Sequence, residues 1–281
     1  MGLRIEARTD LAACDEAVRL QREVWGDAVV VPSNMLFASV HVGAFLALAY
    51  SGDAAVGFVY SFYGVRDWRF VHHSHMLAVL PSHRGTEVAR DLKAAQRDYC
   101  LERGLEVVTW TMDPLESRNA RFNLAKLGAY APEYHEDFYG EMPDKLNAGL
   151  PSDRFALEWP IATDRVARRL KDEDAIPSLP DAERDVPWLL RADDERPGAE
   201  GALAQTHLLV AAPWDFQSIK ARDASLARAW RDAHRRTLGP ALRAGYAAVE
   251  YLVDAGSRRG AYLLIQRPEV VEARRRKEEK K

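Results

Sequence analysis

The sequence has few cysteines and no long apolar run. Only Cys14 and Cys100 occur among its 281 residues, and they match neither a CxxC pair nor a zinc-ligand spacing, which excludes a disulfide scaffold and a cysteine-based metal site. No apolar run reaches the ~18 residues that a membrane-spanning helix needs, and the first residues lack the basic and apolar regions of a signal peptide. We therefore expect a reduced, cytoplasmic protein with no membrane partner.

A strong excess of charge of either sign is also absent. The net charge is -3, with 47% hydrophobic and 29% charged residues, which is typical of a globular protein. Basic residues gather in the last segment, 267–281, but such a run is usually a solvated extension, and no aromatic-basic surface motif accompanies it. We predict a disordered basic tail and no nucleic-acid partner.

Strand and helix patterns follow one another through the first 160 residues. A strand at 3–7 leads through Asp10, a typical helix-capping residue, into an amphipathic helix. Apolar runs at 44–50, 54–62 and 70–79 indicate three antiparallel strands. A helix then begins near Val88 and ends at Gly104, a strand at 105–112 is apolar on both faces, and a second helix covers 116–127. The pattern predicts a strand, turn, helix and parallel strand in the middle of the chain.

Composition changes after residue 160. Charged residues, proline and glycine dominate 161–203, which favours a linker. Strands at 206–211, 247–253 and 261–266, with helical segments between 223 and 244, predict a β-α-β-β unit. We therefore predict a domain at 1–160, a linker at 161–203, an α/β subdomain at 204–266 and the basic tail at 267–281. The subdomain's aromatic residues suit a core, with a ligand wall or a homodimer face as the alternative: Trp214, Trp230, Tyr246 and Tyr251.

The turn after the strand at 70–79 is a candidate anion site. Backbone N–H groups at a helix N-terminus carry partial positive charge, and a turn of small residues lets a diphosphate approach them. Arg84 and Arg90 would add donors. The alternative is an ordinary connection whose arginines face water.

This turn resembles the pyrophosphate motif of the GNAT acyltransferase superfamily, in which Gln or Arg is followed by two residues, Gly, one residue and Gly or Ala. Arg84 stands at the first position, Glu87 at the middle glycine and Ala89 at the last. The resemblance to a bacterial subfamily of predicted GNAT acyltransferases covers most of residues 3–160. It includes the segments 74–79, 110–120, 122–128, 139–140 and 152–159, and shorter ones at 230–231 and 245–246.

The resemblance implies an α/β fold of mixed α+β type, the GNAT fold, with a central, mixed, splayed β-sheet and here a C-terminal β-α-β-β extension. Acyl-CoA, either acetyl-CoA or succinyl-CoA, would lie as co-substrate between the diverging strands at 70–79 and 105–112. An amine would attack its thioester directly. The cofactor-binding residues implied are Leu77, Ala78, Val79, Arg84, Gly85, Thr86, Glu87, Val88, Ala89, Arg90 and Asn119.

Two positions depart from the family pattern. The Glu87 carboxylate would repel a diphosphate, and its side chain would crowd the turn, so acyl-CoA should bind more weakly than to relatives with glycine unless the carboxylate points to solvent. Leu124 stands where many GNAT enzymes carry a tyrosine that protonates the leaving thiolate. These departures support an alternative function, a weakly active or inactive GNAT-like protein that binds acyl-CoA or another ligand.

Acyl transfer to an amine requires a proton acceptor near pH 7. Alternation along a strand places His73 and His75 on one face and His72 on the other. His75 is the candidate base, with a purely structural histidine as the alternative. His73 and His75 could also share a metal ion, but no further ligand cluster lies nearby, so we predict no metal.

The remaining candidates lie beyond residue 118. Tyr139 is the candidate acid and Tyr134 its alternative, although aromatic residues in such a stretch more often fill the core.

Substrate candidates are Arg154, which could clamp a carboxylate unless Asp153 neutralises it, and Asn123, which like Asn119 could hydrogen-bond substrate or cofactor. Some members of the subfamily N-acylate amino acids, including by succinylation. The resemblance therefore implies an acyl-CoA-dependent N-acyltransferase of a small amine or amino acid.

Overall fold

The structure, a computed structural model, describes residues 2–66, 68–142 and 148–267. The chain divides into two compact units. The first comprises the described residues within 1–110, 142–148 and 160–163, and the second comprises those within 111–141, 149–159 and 164–281. Each unit combines helices with mostly antiparallel strands, so the predicted mixed α/β class is confirmed. The predicted domain at 1–160 contributes to both units.

The first unit follows the element order that the sequence predicts, with one additional helix at 33–41 that was not predicted. It contains β1 (Leu3–Ala7), α1 (Leu11–Trp25), α2 (Ser33–His41), β2 (Phe45–Ser51), β3 (Ala54–Arg66), β4 (Arg69–Val79), α3 (Val88–Leu101) and β5 (Val107–Met112), whose last two residues belong to the second unit. The strands pair in the order β1-β2-β3-β4-β5, antiparallel up to β4 and parallel between β4 and β5. The predicted parallel strand is therefore confirmed.

Local capping defines the first helix. The Asp10 side chain accepts a hydrogen bond from the backbone N–H of Ala13 at 3.0 Å, which satisfies one of the free donors of the first turn. The helix ends at Gly26, whose φ of +86° favours glycine. Cys14 and Ala17 on its inner face are fully buried, which holds α1 against the sheet.

Helices cover both faces of this sheet. On one face α1 and α2 pack with β2 and β3 around Leu36 and Phe58. On the other face α3 buries Val88 and Leu92 against Val59. Each strand therefore has one face toward α1 and α2 and one toward α3, and this decides where the side chains of β4 can act.

Gly57 allows α3 to approach the sheet closely. A Cβ atom at this position would lie 2.8 Å from the backbone oxygen of Ala78 and 3.2 Å from Val88 Cγ1. We expect Gly57→Ala to lower the free energy of unfolding by about 1–3 kcal/mol, because backbone must shift to admit the methyl group. Gly64→Ala on the same strand is the matched control, since its Cβ would meet Val71 Cγ2 at an ordinary 3.7 Å. Denaturant unfolding measures both variants, and equal losses would contradict the explanation.

The second unit contains the rest of the described chain. Its elements are α4 (Ser117–Ala120), β6 (Tyr130–His135), β7 (Arg154–Pro160), α5 (Asp164–Leu170), α6 (Leu179–Ala182), β8 (Trp188–Asp193), β9 (Arg196–Glu200), β10 (His207–Ala212), α7 (Phe216–Arg222), α8 (Ala224–Arg243), β11 (Tyr246–Asp254) and β12 (Arg259–Gln266). The strands follow one another in the order β7-β6-β11-β12-β10-β8-β9. The predicted strands and helices of the β-α-β-β unit are present.

Two stretches differ from the predicted elements. The segment 161–203 contains α5, α6 and the β8–β9 hairpin where composition favoured a linker, because Leu179, Leu189 and Leu190 among its charges are buried. The predicted helix at 116–127 is α4 followed by a π-helical turn, Arg121–Lys126. In that turn the Leu127 N–H donates to the Phe122 carbonyl at 2.9 Å. Such wider turns occur often at functional sites.

Both cysteines are free and buried. Among the described residues, no helix combines the length and the apolar character that crossing a bilayer requires. Nearly all of the predicted basic tail, 268–281, lies outside the described residues.

Candidate active site

Strands β4 and β5 pair over a short stretch of their length. The described pairs are His72 with Val108 and His73 with Thr109, although β4 continues to Val79. The backbone of β4 beyond His73 is therefore hydrogen-bonded to β3 on one side and has no described pairing to β5 on the other. An unpaired strand edge offers N–H and C=O groups to an extended ligand.

A bulge interrupts β4 at the same place. Ser74 pairs with Ser61 and Met76 pairs with Tyr60, so His75 is an extra residue between two consecutive pairs. A bulge of this kind bends the strand and changes the direction of the side chains that follow. Met76 accordingly packs on the α1 and α2 side, and Leu77 packs on the α3 side.

His73 and His75 lie together with aromatic rings of β3. Their ring centroids are 6.4 Å apart, and those of His75 and Phe62 are 5.7 Å apart. His75 is exposed as a residue, but the surrounding protein partly desolvates its ring and so lowers its pKa; burial followed by the neighbouring His75 lowers the pKa of His73 to about 4. Both imidazoles are therefore neutral at pH 7, and a neutral imidazole can accept a proton. In the part of the chain that the structure describes, no three His, Cys, Asp or Glu side chains converge on a metal position.

His72 points to the opposite face, as predicted from the alternation. Its Nε2 lies 2.6 Å from Ser61 Oγ, and its ring packs edge-on against Tyr63 at 5.1 Å. The side chain is fully buried, and this burial lowers its pKa to about 4. His72 is therefore a structural histidine of the α3 side.

The predicted anion turn connects β4 to α3. A short 3-10 turn at Pro81–His83 is followed by Gly85 with φ of +80°, a conformation that glycine adopts without strain. The Thr86 hydroxyl donates to the carbonyl of His83 at 2.7 Å. A Cβ on Gly85 would meet nothing within 4 Å, so the space around the turn is open at the beginning of a fourteen-residue helix.

The Glu87 side chain meets the condition stated for it in the sequence analysis, that its carboxylate points to solvent. Its carboxylate pairs with the Arg90 guanidinium at 2.7 Å, and the Glu87 side chain is 68% exposed. The carboxylate therefore points to solvent and is partly balanced by Arg90. Arg84 Nε donates to the carbonyl of Val79 at 3.3 Å, which brings this arginine back to the end of β4.

The predicted cofactor-binding residues of the first unit lie on one continuous segment. Leu77, Ala78 and Val79 occupy the end of β4, with the Ala78 side chain buried. The turn and the first residues of α3 follow directly: Arg84, Gly85, Thr86, Glu87, Val88, Ala89 and Arg90. Their assignment to a cofactor stays a prediction.

Tyr139 and Arg154 meet in the second unit. The Tyr139 hydroxyl lies 3.0 Å from Thr111 Oγ1, and its side chain is partly exposed. The Arg154 guanidinium carbon lies 5.5 Å from the Tyr139 ring centre, within range of a cation–π interaction. An exposed hydroxyl can donate a proton, so the predicted acid role of Tyr139 remains open to test.

Arg154 and Tyr134 belong to a buried network of charges. Arg154 is 5% exposed and donates to the Asp153 carbonyl at 2.9 Å and to Asp113 Oδ2 at 3.5 Å. Tyr134 donates to Asp153 Oδ2 at 2.5 Å, and its burial, followed by the Asp153 charge, raises the pKa of this phenol well above its usual range. Arg235 also forms two hydrogen bonds to Asp153. Hydrogen bonds and ion pairs within the chain therefore fix the side chains of Arg154 and Tyr134, which favours structural roles for these two residues.

The two predicted asparagines differ in accessibility. Asn119 is exposed on α4. Asn123 is buried in the π-helical turn, and its amide donates to Met112 Sδ at 3.5 Å. Leu124, which stands at the tyrosine position of the family, is completely buried and fills core. A substrate role for Asn123 stays a prediction.

Sequence reasoning overlooked Lys93. Its ammonium donates to Ser74 Oγ at 3.1 Å and to Gln96 Oε1 at 2.6 Å, and it lies 3.9 Å from the ring centre of Trp110. Burial lowers its pKa to about 7. One signal in the sequence indicates its burial. Lys93 precedes the buried Cys100 by seven residues in α3, which places both on the inner face of the helix.

Comparison with known proteins finds one family model that matches part of the chain. Residues 11–129 match the model of the acetyltransferase (GNAT) family. No curated protein matches the sequence.

Solved structures with a similar arrangement include three acetyltransferases. Arabidopsis thaliana Naa50 in complex with the bisubstrate analogue CoA-Ac-MVNAL is 16% identical, with 56% of this chain and 98% of that one covered and a TM-score of 0.46. A GNAT-family acetyltransferase from Streptococcus pneumoniae is 13% identical, with 56% and 98% covered and a TM-score of 0.47. An aminoglycoside acetyltransferase from an uncultured soil metagenomic sample is 20% identical, with 43% and 84% covered and a TM-score of 0.38.

At these identities the assignment rests on the family model, whose match begins at α1 and continues through α3, the anion turn and β5. On this match, residues 11–129 are similar to the acetyltransferase domain of the GNAT family.

Proposed function

We propose that the chain is an acyl-CoA-dependent N-acyltransferase that transfers an acetyl or succinyl group directly to a small amine or amino acid. The observation that carries this proposal is the end of β4, where an edge without described pairing to β5 begins beside the bulged, neutral His75 and leads into the turn before α3. One segment of chain thus supplies a strand edge, a base and an anion cradle.

The fit of an acyl-CoA follows from these groups. Main-chain N–H and C=O groups of Leu77 to Val79 would hydrogen-bond the pantetheine amides, as an added strand does. Amides of the turn between Gly85 and Ala89, with Arg84 and Arg90, would hold the pyrophosphate at the start of α3. In the second unit, Asn119 is exposed and able to hydrogen-bond a cofactor.

The proposed reaction is a direct displacement at the thioester. The amine nitrogen attacks the carbonyl carbon, an N–C bond forms, the C–S bond breaks and CoA leaves as a thiolate. His75 accepts the proton that the amine loses, and a donor, for which Tyr139 is the candidate, protonates the thiolate. The neutral state of His75 at pH 7 suits the first of these roles.

Release of free thiol from acetyl-CoA and succinyl-CoA, measured against a panel of amino acids, polyamines and short peptides, tests the function. We expect turnover with at least one amine and one acyl-CoA. A protein that binds acyl-CoA but transfers nothing would favour the alternative, a GNAT-like binding protein, which the buried Leu124 at the tyrosine position supports. A protein that neither binds nor transfers would contradict both.

Glu87 gives a separate test of the anion turn. Although the Glu87 carboxylate points to solvent, replacing Glu87 by glycine should tighten acetyl-CoA binding about two- to tenfold at low salt, because the longer-range repulsion of the diphosphate is removed and Arg90 loses its ion pair with Glu87. Calorimetry on the whole chain measures the affinity. Glu102→Gly, which changes an exposed carboxylate at the other end of α3, is the control. An unchanged affinity of the Glu87 variant would place the diphosphate elsewhere.

A further inference from the structure

Lys93 is a buried cation on the inner face of α3. Its side chain is 2% exposed, and its ammonium touches groups from three elements of the first unit. Ser74 on β4 and Gln96 on α3 accept its hydrogen bonds, and the Trp110 ring of β5 lies against it. A buried ammonium costs free energy unless polar groups and π-electrons surround it, as these do.

The two strand residues that Lys93 contacts lie where the described pairing of β4 and β5 ends. Ser74 follows His73, and Trp110 follows Thr109, so both come directly after the last described pair of β4 and β5. Ser74 also precedes His75, the extra residue of the bulge. The ammonium therefore connects α3 with both strands where their described pairing ends.

Resting on the proposed function, we propose that Lys93 is a positioning residue for acyl transfer. Through Ser74 its ammonium fixes the bulge that orients His75. Through Trp110 it also fixes the distance between β4 and β5 where the acyl group would enter. Lys93 acts through these neighbours and need not touch the reacting atoms. Misplacement of a reacting group by about 1 Å is sufficient to lower a rate by about 100-fold.

The positive charge is part of this arrangement. An ammonium can donate to Ser74 and Gln96 and attract the Trp110 ring at once, whereas a neutral amine has two N–H donors and loses the cation–π attraction. The arrangement should therefore weaken as the pH rises through the pKa of Lys93, which burial lowers to about 7.

The other titratable groups around Lys93 keep the same protonation state at pH values near 7. His72 and His73 on β4 are neutral because burial lowers each pKa to about 4. Burial raises the pKa of the Cys100 thiol on α3 to about 12. Among these four groups Lys93 is the one that changes charge near neutral pH.

The test compares kcat and KM of Lys93→Met with those of the whole wild-type chain between pH 6 and 9. Methionine removes the ammonium and keeps an unbranched side chain in the buried space. We expect kcat to fall about tenfold at pH 6.5 and the difference to shrink to about twofold above pH 8, with KM for acetyl-CoA changed less than twofold. The Lys93→Gln variant keeps a hydrogen-bonding group but has no titrating ammonium. Its kcat should therefore lose the same pH dependence as that of Lys93→Met. Lys126→Met, an exposed lysine of the second unit paired with Asp172, is the control.

The outcomes separate the inference from the function on which it rests. An active wild-type chain with Lys93 variants of equal kcat and equal pH profile would overturn the positioning role. A uniform loss at every pH, with a lower unfolding temperature, would assign Lys93 to structure alone and also overturn it. A wild-type chain without transfer to any amine would overturn the proposed function first, and the positioning role with it.

Discussion

Replacing His75 by glutamine should lower kcat for acyl transfer by about 100-fold or more, since a positioned general base contributes about 10²- to 10⁴-fold to a rate. His75 is the bulged residue of β4, and its ring is held beside Phe62, Tyr60 and His73. Glutamine keeps a polar side chain of comparable size but cannot accept the proton at neutral pH.

The pH profile distinguishes a base from a structural residue. Desolvation of its ring lowers the pKa of His75 below its usual value near 6.5, so the limb on which kcat/KM falls should lie on the acid side of that value. The His75→Gln variant should lack this acid limb. His207→Gln, an exposed histidine of the second unit bonded to Thr206, should retain full activity. A His75 variant within threefold of wild type would assign the base to another group.

Replacing Asp113 by alanine should lower the free energy of unfolding by about 3–5 kcal/mol, the range found when one partner of a buried ion pair is removed. Asp113 accepts two hydrogen bonds from Arg231, at 2.9 Å and 2.6 Å, and lies 3.5 Å from Arg154. Both arginine side chains are at least nine-tenths buried. The variant therefore leaves two guanidinium groups without this carboxylate.

The controls separate burial from charge. Glu23→Ala removes an exposed partner of Arg19 on α1 and should cost less than about 1 kcal/mol. Adding Arg231→Met to Asp113→Ala should recover part of the loss, because one unneutralised buried charge disappears. Denaturant unfolding of the three variants and wild type measures the differences. An Asp113→Ala loss no larger than that of Glu23→Ala would show that this network contributes little to stability.

Local signals in the sequence were sufficient for most elements of the fold. Asp10 and Gly26 bound the first helix by capping, and the run from Ala54 to Phe62 is apolar and of strand length. The anion turn followed from its residue types and its place between a strand and a helix. These features depend on neighbours in the chain, which a sequence shows directly.

Features that depend on pairing between distant residues were not predictable in this way. The contact of Lys93 with Ser74 and Trp110 requires the register of β4 and β5, and the burial of Arg154 requires Asp113. The sequence suggested that Arg154 is exposed and could bind a substrate carboxylate, yet tertiary packing buries it. The bulge at His75 likewise depends on how β4 pairs with β3.

The central claim is that an acyl-CoA binds along the edge of β4 between the bulge and the turn before α3. A crystal structure of the whole chain with a non-hydrolysable acetyl-CoA analogue tests it most directly. We expect the pantetheine amides to hydrogen-bond the main chain of Leu77 to Val79, with the diphosphate on the amides of Gly85 to Ala89 and the thioester carbonyl near His75. An analogue bound away from this edge, or a β4 edge filled by the chain's own side chains, would contradict the account.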